Sequence, residues 1–182
     1  MLKLNSLRNL ILTAVPRLQD APGQVIVMAE GGRIQATGTD ALSFEMHYTA
    51  CVWVLGLSEH PDAVIVPALA WHRLQQAELY ASGQPGDAFR FEAQPLDDVE
   101  AIDLHLRLQM SERVIVTQDA ATGRVTAAHH APEPGPIGFA DKPERWVVEL
   151  RHPDGERQRL AEFDGPALPR ALAYLQQLGI RP

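Results

Sequence analysis

Two pairs of side chains stand where acid–base or metal chemistry could begin, Glu45 with His47 and Asp103 with His105. Each pair is spaced i, i+2, so on a strand both members share one face and can converge on a proton or a cation. The same spacing builds cross-strand charge pairs on a solvated sheet face, and that is the reading the pattern favours. His129-His130 makes a poor chelate, because neighbours on a strand point to opposite faces. His60-Pro61-Asp62 reads as helix entry, with proline near the first turn and Asp62 beside the positive end of the dipole. His72, next to Trp71 in a helical stretch, reads as a packed or hydrogen-bonded residue. The one cysteine, Cys51, excludes an internal disulfide and fits a reducing cytoplasm; in an apolar strand it reads as a small core residue rather than a nucleophile. No P-loop, dinucleotide fingerprint, nucleophile elbow or paired Cys-x-x-Cys appears. The sequence therefore assigns no catalytic, cofactor-binding or metal-binding residue.

Charge points away from nucleic acid. Residues 1–139 hold 9 Lys+Arg against 16 Asp+Glu, which accounts for the whole net charge of −7; residues 140–182 hold 7 of each. Between Asp87 and Asp103 six acids (Asp87, Glu92, Asp97, Asp98, Glu100, Asp103) meet one base, Arg90. Such a surface repels phosphates, so specific nucleic-acid binding is not expected. The apolar fraction of 46% and charged fraction of 21% are those of a soluble globular protein. Apolar runs such as Ala50–Leu57 are too short to span a bilayer, and no secretory cleavage pattern follows Met1.

The elements that would position these groups follow from periodicity. Leu7, Leu10, Ile11, Ala14, Val15 and Leu18 form one helical stripe, with Asn5 or Ser6 placed to cap its start and Pro16 to end or kink it. Val25–Met28 and Ile34–Thr37 read as two strands around a Glu30-Gly31-Gly32-Arg33 hairpin turn. From Phe44 to Val54 the even positions are apolar or small, predicting a long strand over 43–57. Val64, Ile65, Ala68, Leu69 and Trp71 predict a helix over 62–80. Further strands are expected from Phe89, over 102–108, over 113–117 and over 124–128. The sum is α+β, a mostly antiparallel sheet with helices packed on it. Residues 131–143, with Pro132, Pro134, Pro136, Pro143, Gly135 and Gly138, have linker composition. Beyond them a hairpin over a Pro153-Asp154-Gly155 turn and a helical stripe (Leu168, Ala171, Leu172, Leu175, Leu178) make a small β-β-α extension. The expected organisation is a core domain over 1–130, a linker over 131–143 and an extension over 144–182. An extension of that size rarely buries enough apolar surface alone, so it should dock on its own core, a neighbouring subunit or another protein.

Ser6-Leu7-Arg8, Leu42-Ser43-Phe44-Glu45, His60-Pro61-Asp62-Ala63, Val66-Pro67-Ala68-Leu69-Ala70-Trp71, Phe89-Arg90-Phe91-Glu92-Ala93 and Glu112-Arg113-Val114-Ile115-Val116 follow one another in order. Together they resemble the tail completion protein R family of temperate contractile-tailed phages, from about Ser6 to His130. Residues 131–182 do not align with that pattern. The resemblance implies a tail-terminator-like fold and a non-enzymatic virion assembly protein, without cofactor, at the head-proximal end of the tail. It implies self-association, as in the six-fold rings of related tail-end proteins, and partners among tube, sheath and head–tail connector proteins. The place implied is the virion tail, after assembly in the host cytoplasm. Candidate assembly residues are Asp97, Asp98 and Asp103, expected on an exposed wall such as a ring channel, and Trp146 and Leu150 on the hairpin. Two rival readings are an α+β small-ligand binding module and a metal-dependent hydrolase built on Asp103, His105 and His47.

Overall fold

The computed structural model describes residues 2–36, 38, 42–81, 86–97, 100–129 and 140–167. Helices α1 (Leu2–Ala14) and α2 (Pro16–Asp20) and a short 3-10 turn (Pro22–Gln24) lead into strand β1 (Val25–Ala36). Then come β2 (Phe44–Leu57), α3 (Asp62–Gln75), α4 (Ala77–Ala81), β3 (Phe89–Pro95), β4 (Ile102–Gln118) and β5 (Val125–His129). A separate antiparallel pair, β6 (Ala140–Arg151) and β7 (Arg157–Ala167), follows.

The main sheet is antiparallel, in the order β1-β2-β4-β3, with β5 also paired to β4. Its inner face is set by the period-2 pattern. Tyr48, Ala50, Val52 and Val54 of β2 and Leu104, Leu106, Leu108 and Met110 of β4 are all buried. They pack with Leu4, Leu7, Ile11 and Ala14 of α1 and Ala63, Val64, Ala68 and Trp71 of α3. Each fully buried Leu, Ile, Val or Met among them contributes about 1.5–3 kcal/mol by leaving water. On the helices' side Leu160, Ala161 and Phe163 of β7 are buried in the same core, with Trp146, Val148 and Leu150 of β6 packed against it. The layers thus run sheet, helices, hairpin.

Four elements differ from their sequence-based expectation, each for a tertiary reason. Helix α1 begins at Leu2, so Asn5 and Ser6 lie inside it and cap nothing. Ser6 Oγ instead accepts a 3.1 Å hydrogen bond from the Trp71 indole N–H, which ties α1 to α3. β1 is one strand, and Gly31-Gly32 forms a bulge within it, because β2 runs alongside the whole of β1 from Val25↔Val54 to Ala36↔Phe44. Gly31 adopts φ +60°, which the bulge requires and a β-carbon would strain. The expected helix 62–80 breaks at Gln76, whose side chain pairs with the backbone of β4. Gln76 Nε2 donates to Ser111 O and Gln76 Oε1 accepts from Ser111 N, both at 2.9 Å. The strands expected over 102–108 and 113–117 are a single strand, β4, since Met110 and Glu112 keep the inward alternation. In the extension β6 starts at Ala140, inside the stretch read as linker; residues 130–139 lie outside the described residues, as does the helical stripe from Leu168.

Candidate assembly surface

Residues paired across an antiparallel sheet share a face, so the open side of the main sheet can be listed by register. One row runs Ile26–Trp53–His105–Glu92, and the next runs Met28–Cys51–Arg107–Arg90. Ile26, Met28 and Leu55 are 40%, 42% and 36% exposed around a half-buried Trp53. The Trp53 indole stacks on the His105 imidazole, with centroids 3.7 Å apart and planes 8° apart. This indole lid leaves His105 only 4% exposed, and its Nε2 has no hydrogen-bond partner among the described residues. Burial, then the nearby Arg107, lowers the imidazole pKa, so His105 stays neutral at pH 7. Cys51 is fully buried beside this stack; burial, followed by the influence of Glu30, pushes its thiol up to about 11, where it is no nucleophile.

Around this apolar centre the rim is charged. Arg107 pairs with Glu30 at 3.1 Å, and the Arg90–Asp87 pair closes the other side. Thr49, Arg90, Glu92, Arg107 and Gln109 line a shallow groove of about 400 Å³ there. An aromatic anchor among aliphatic residues inside a polar rim has the composition of a protein-docking patch.

The residues singled out from sequence are scattered over the fold. Asp97 is exposed in the β3–β4 connection, and Asp98 lies outside the described residues. Asp103 is half-buried, its Oδ1 accepting a 2.8 Å hydrogen bond from the Gly56 N–H, so it supports the irregularity between Val54 and Leu57 of β2. Trp146 and Leu150 face the protein's own helices, packed on the core; Val147 on the opposite face of β6 is 49% exposed. The Glu45–His47 pair forms, at 3.6 Å. It does not meet Asp103 and His105, however. His47 is six residues along β2 from Trp53, the partner of His105, a separation of about 20 Å. The metal-hydrolase geometry therefore fails, and no cluster of three or more potential metal ligands occurs among the described residues.

A buried polar network lies on the inner face, and of its members the sequence reading gave only His72 a packed or hydrogen-bonded place. Glu112 is 4% exposed where an apolar residue would continue the alternation of β4. Its carboxylate accepts a very short hydrogen bond from the Tyr48 hydroxyl and lies 3.2 Å from His129 Nδ1. Burial and the bond to Glu112 raise the Tyr48 pKa far above the ordinary phenol range. Beside it Lys3 Nζ donates to Gln75 O and Ser111 O, and burial lowers its pKa. His72 is fully buried, with Nδ1 2.6 Å from the Tyr80 hydroxyl and Nε2 2.7 Å from Gln109 O. A further legible signal was a glutamate at an inward position of a strand, which demands partners. Every group in the network is matched, so it reads as the fastening between helices and sheet. At the entry to α3, Asp62 stands in the first turn, as expected, and its N–H donates to His60 Nδ1.

Comparison with known proteins places the chain. Residues 1–134 match the family model described as P2 phage tail completion protein R (GpR). The chain is 31% identical over 138 residues to tail completion protein R of Escherichia phage P2, an alignment covering 75% of this chain and 88% of that relative. No solved structure matches. The family model takes in the five-stranded sheet and α1–α4 and ends before β6, so the hairpin on the helices lies beyond it. This α+β chain therefore belongs to the phage tail completion protein R family, whose role is structural, in tail assembly.

Proposed function

We propose that the protein completes the head-proximal end of a contractile tail as a ring of identical subunits that contact tube, sheath and connector proteins. It acts in the virion tail after assembly in the host cytoplasm, by shape and surface and without catalysis. The observation that carries this reading is the family match across the entire sheet-and-helix body. The open sheet face supports it, since a structural subunit needs such a patch and an enzyme would need converging polar groups instead. In this reading the acidic β3–β4 connection, with exposed Asp97, borders the channel, where negative charge lets DNA slide without adhering. Trp146 and Leu150 then act indirectly, by holding the hairpin in place.

The test is genetic and visual. Deleting the gene from its phage or prophage should leave heads and tails unjoined or tails of irregular length in electron micrographs, and supplying the wild-type chain in trans should restore virions. Normal virions without the protein would refute the role. Purified protein imaged by negative stain should show closed rings; monomers at every concentration would refute the ring while leaving the tail role open.

A further inference from the structure

The main sheet has one face against α1 and α3 and the other open. On the open face the Ile26, Met28 and Leu55 side chains surround Trp53, itself stacked on a histidine whose Nε2 lacks a partner among the described residues. Arg107 and Arg90 on one border are already paired with Glu30 and Asp87. Towards the β3–β4 connection the border is acidic, with exposed Glu92, Asp97 and Glu100. Such a patch fits the apolar stripe of an amphipathic, positively charged segment.

The chain carries a segment of that description. Residues 168–182 place Leu168, Ala171, Leu172, Leu175 and Leu178 at helical spacing, and include Arg170 and Arg181 but no Asp or Glu. The chain reaches them from Ala167, where β7 of the hairpin layer ends. Two layer spacings, about 20 Å in all, separate the hairpin from the open sheet face. Fifteen residues span about 22 Å as a helix. Even fully extended, about six of them are needed to cross 20 Å, which spends Leu168, Ala171 and Leu172 and leaves too little of the stripe to lie on the chain's own patch, whereas the patch of an adjacent copy needs no such crossing.

We propose that residues 168–182 of one copy dock on the Trp53 face of the next. The contact joins two different surfaces, so repeating it carries the assembly from copy to copy and closes a ring when the rotation permits. It supplies the subunit contact for the self-assembly proposed above and rests on that part of the reading.

Light scattering and thermal melting of the full chain test it. The wild type should form a multimer, while Leu172→Asp with Leu175→Asp, and separately Met28→Asp, should give monomers that keep a cooperative melt, their midpoint lowered only by the stabilisation that assembly supplied and no longer dependent on concentration. In a Cys51→Ala background, mixing Met28→Cys protein with Leu175→Cys protein of different mass should yield a disulfide between the two unlike chains. A monomeric wild type, a multimer that survives both charge substitutions, or absence of the mixed disulfide would overturn the contact. Loss of the core melt in the Leu172→Asp, Leu175→Asp protein would also overturn it, by placing the segment in its own core. Failed rescue of virions by a chain whose multimer and cross-link are intact would instead strike the tail-completion reading and leave this contact standing.

Discussion

Replacing Phe163 with alanine should release the β6–β7 hairpin without unfolding the body beneath it. Phe163 is 1% exposed, rests 5.6 Å from the Trp146 ring and joins Leu160 and Ala161 in the core contributed by β7. Truncating a buried phenylalanine costs about 3–5 kcal/mol, through lost transfer energy and the cavity left behind. An isolated two-stranded hairpin is marginal in water, so little opposes its detachment once that anchor is gone. The main sheet keeps its own fastening, the inward rows of β2 and β4 against α1 and α3. Native-state hydrogen exchange separates the two regions. At about 1.4 kcal/mol per factor of ten, amides paired between Trp146↔Phe163 and Val148↔Ala161 should lose about two to three and a half decades of protection, while those between β2 and β4 lose less than one. Equal loss in both sheets would refute the reasoning and show that hairpin and body open as one cooperative unit.

Three further outcomes follow from particular contacts. Tyr48→Phe removes a hydroxyl donor from the buried Glu112 carboxylate and should lower unfolding free energy in urea by about 1.5–3 kcal/mol; a change below half of that would mean His129 alone satisfies the carboxylate. His72 and His105 both have pKa values lowered chiefly by burial, so below about pH 6.5 the unfolded chain binds protons that the fold refuses. The contribution of these two histidines should therefore be flat above that pH and make stability fall as pH drops towards the depressed folded values, and the double variant His72→Gln, His105→Phe should flatten the slope of the urea midpoint against pH below neutrality. Gly31→Ala should cost about 1–2 kcal/mol from backbone strain at φ +60°, with no clash, because nothing lies within 4 Å of the added β-carbon. Gly32→Ala, which meets only Tyr48 Cβ at 3.9 Å, should melt close to wild type and serves as its control.

The strands and helices whose alternation is uninterrupted were legible in the sequence, because burial on one face leaves a period that no long-range knowledge is needed to read. The inward even positions of β2, the helical entry at Asp62 and the turn at Gly155 are examples. The order of short motifs from Ser6 to Val116 likewise carried the family without coordinates. What the chain could not disclose locally were the features set by partners distant in sequence. Gly31-Gly32 carries a turn signal, yet β2 runs past it and makes it a bulge. Gln76 ends a helix whose apolar stripe could continue, because its amide is claimed by Ser111, 35 residues away. Glu112 falls between the strands read over 102–108 and 113–117 until Tyr48, 64 residues away, is seen to satisfy it inside a single strand. Trp53 could be core or surface by sequence alone; stacking on His105 across the β2–β4 pair makes it the centre of an open face. Local patterns record which side of an element is buried, whereas the identity of whatever lies against that side belongs to the tertiary structure.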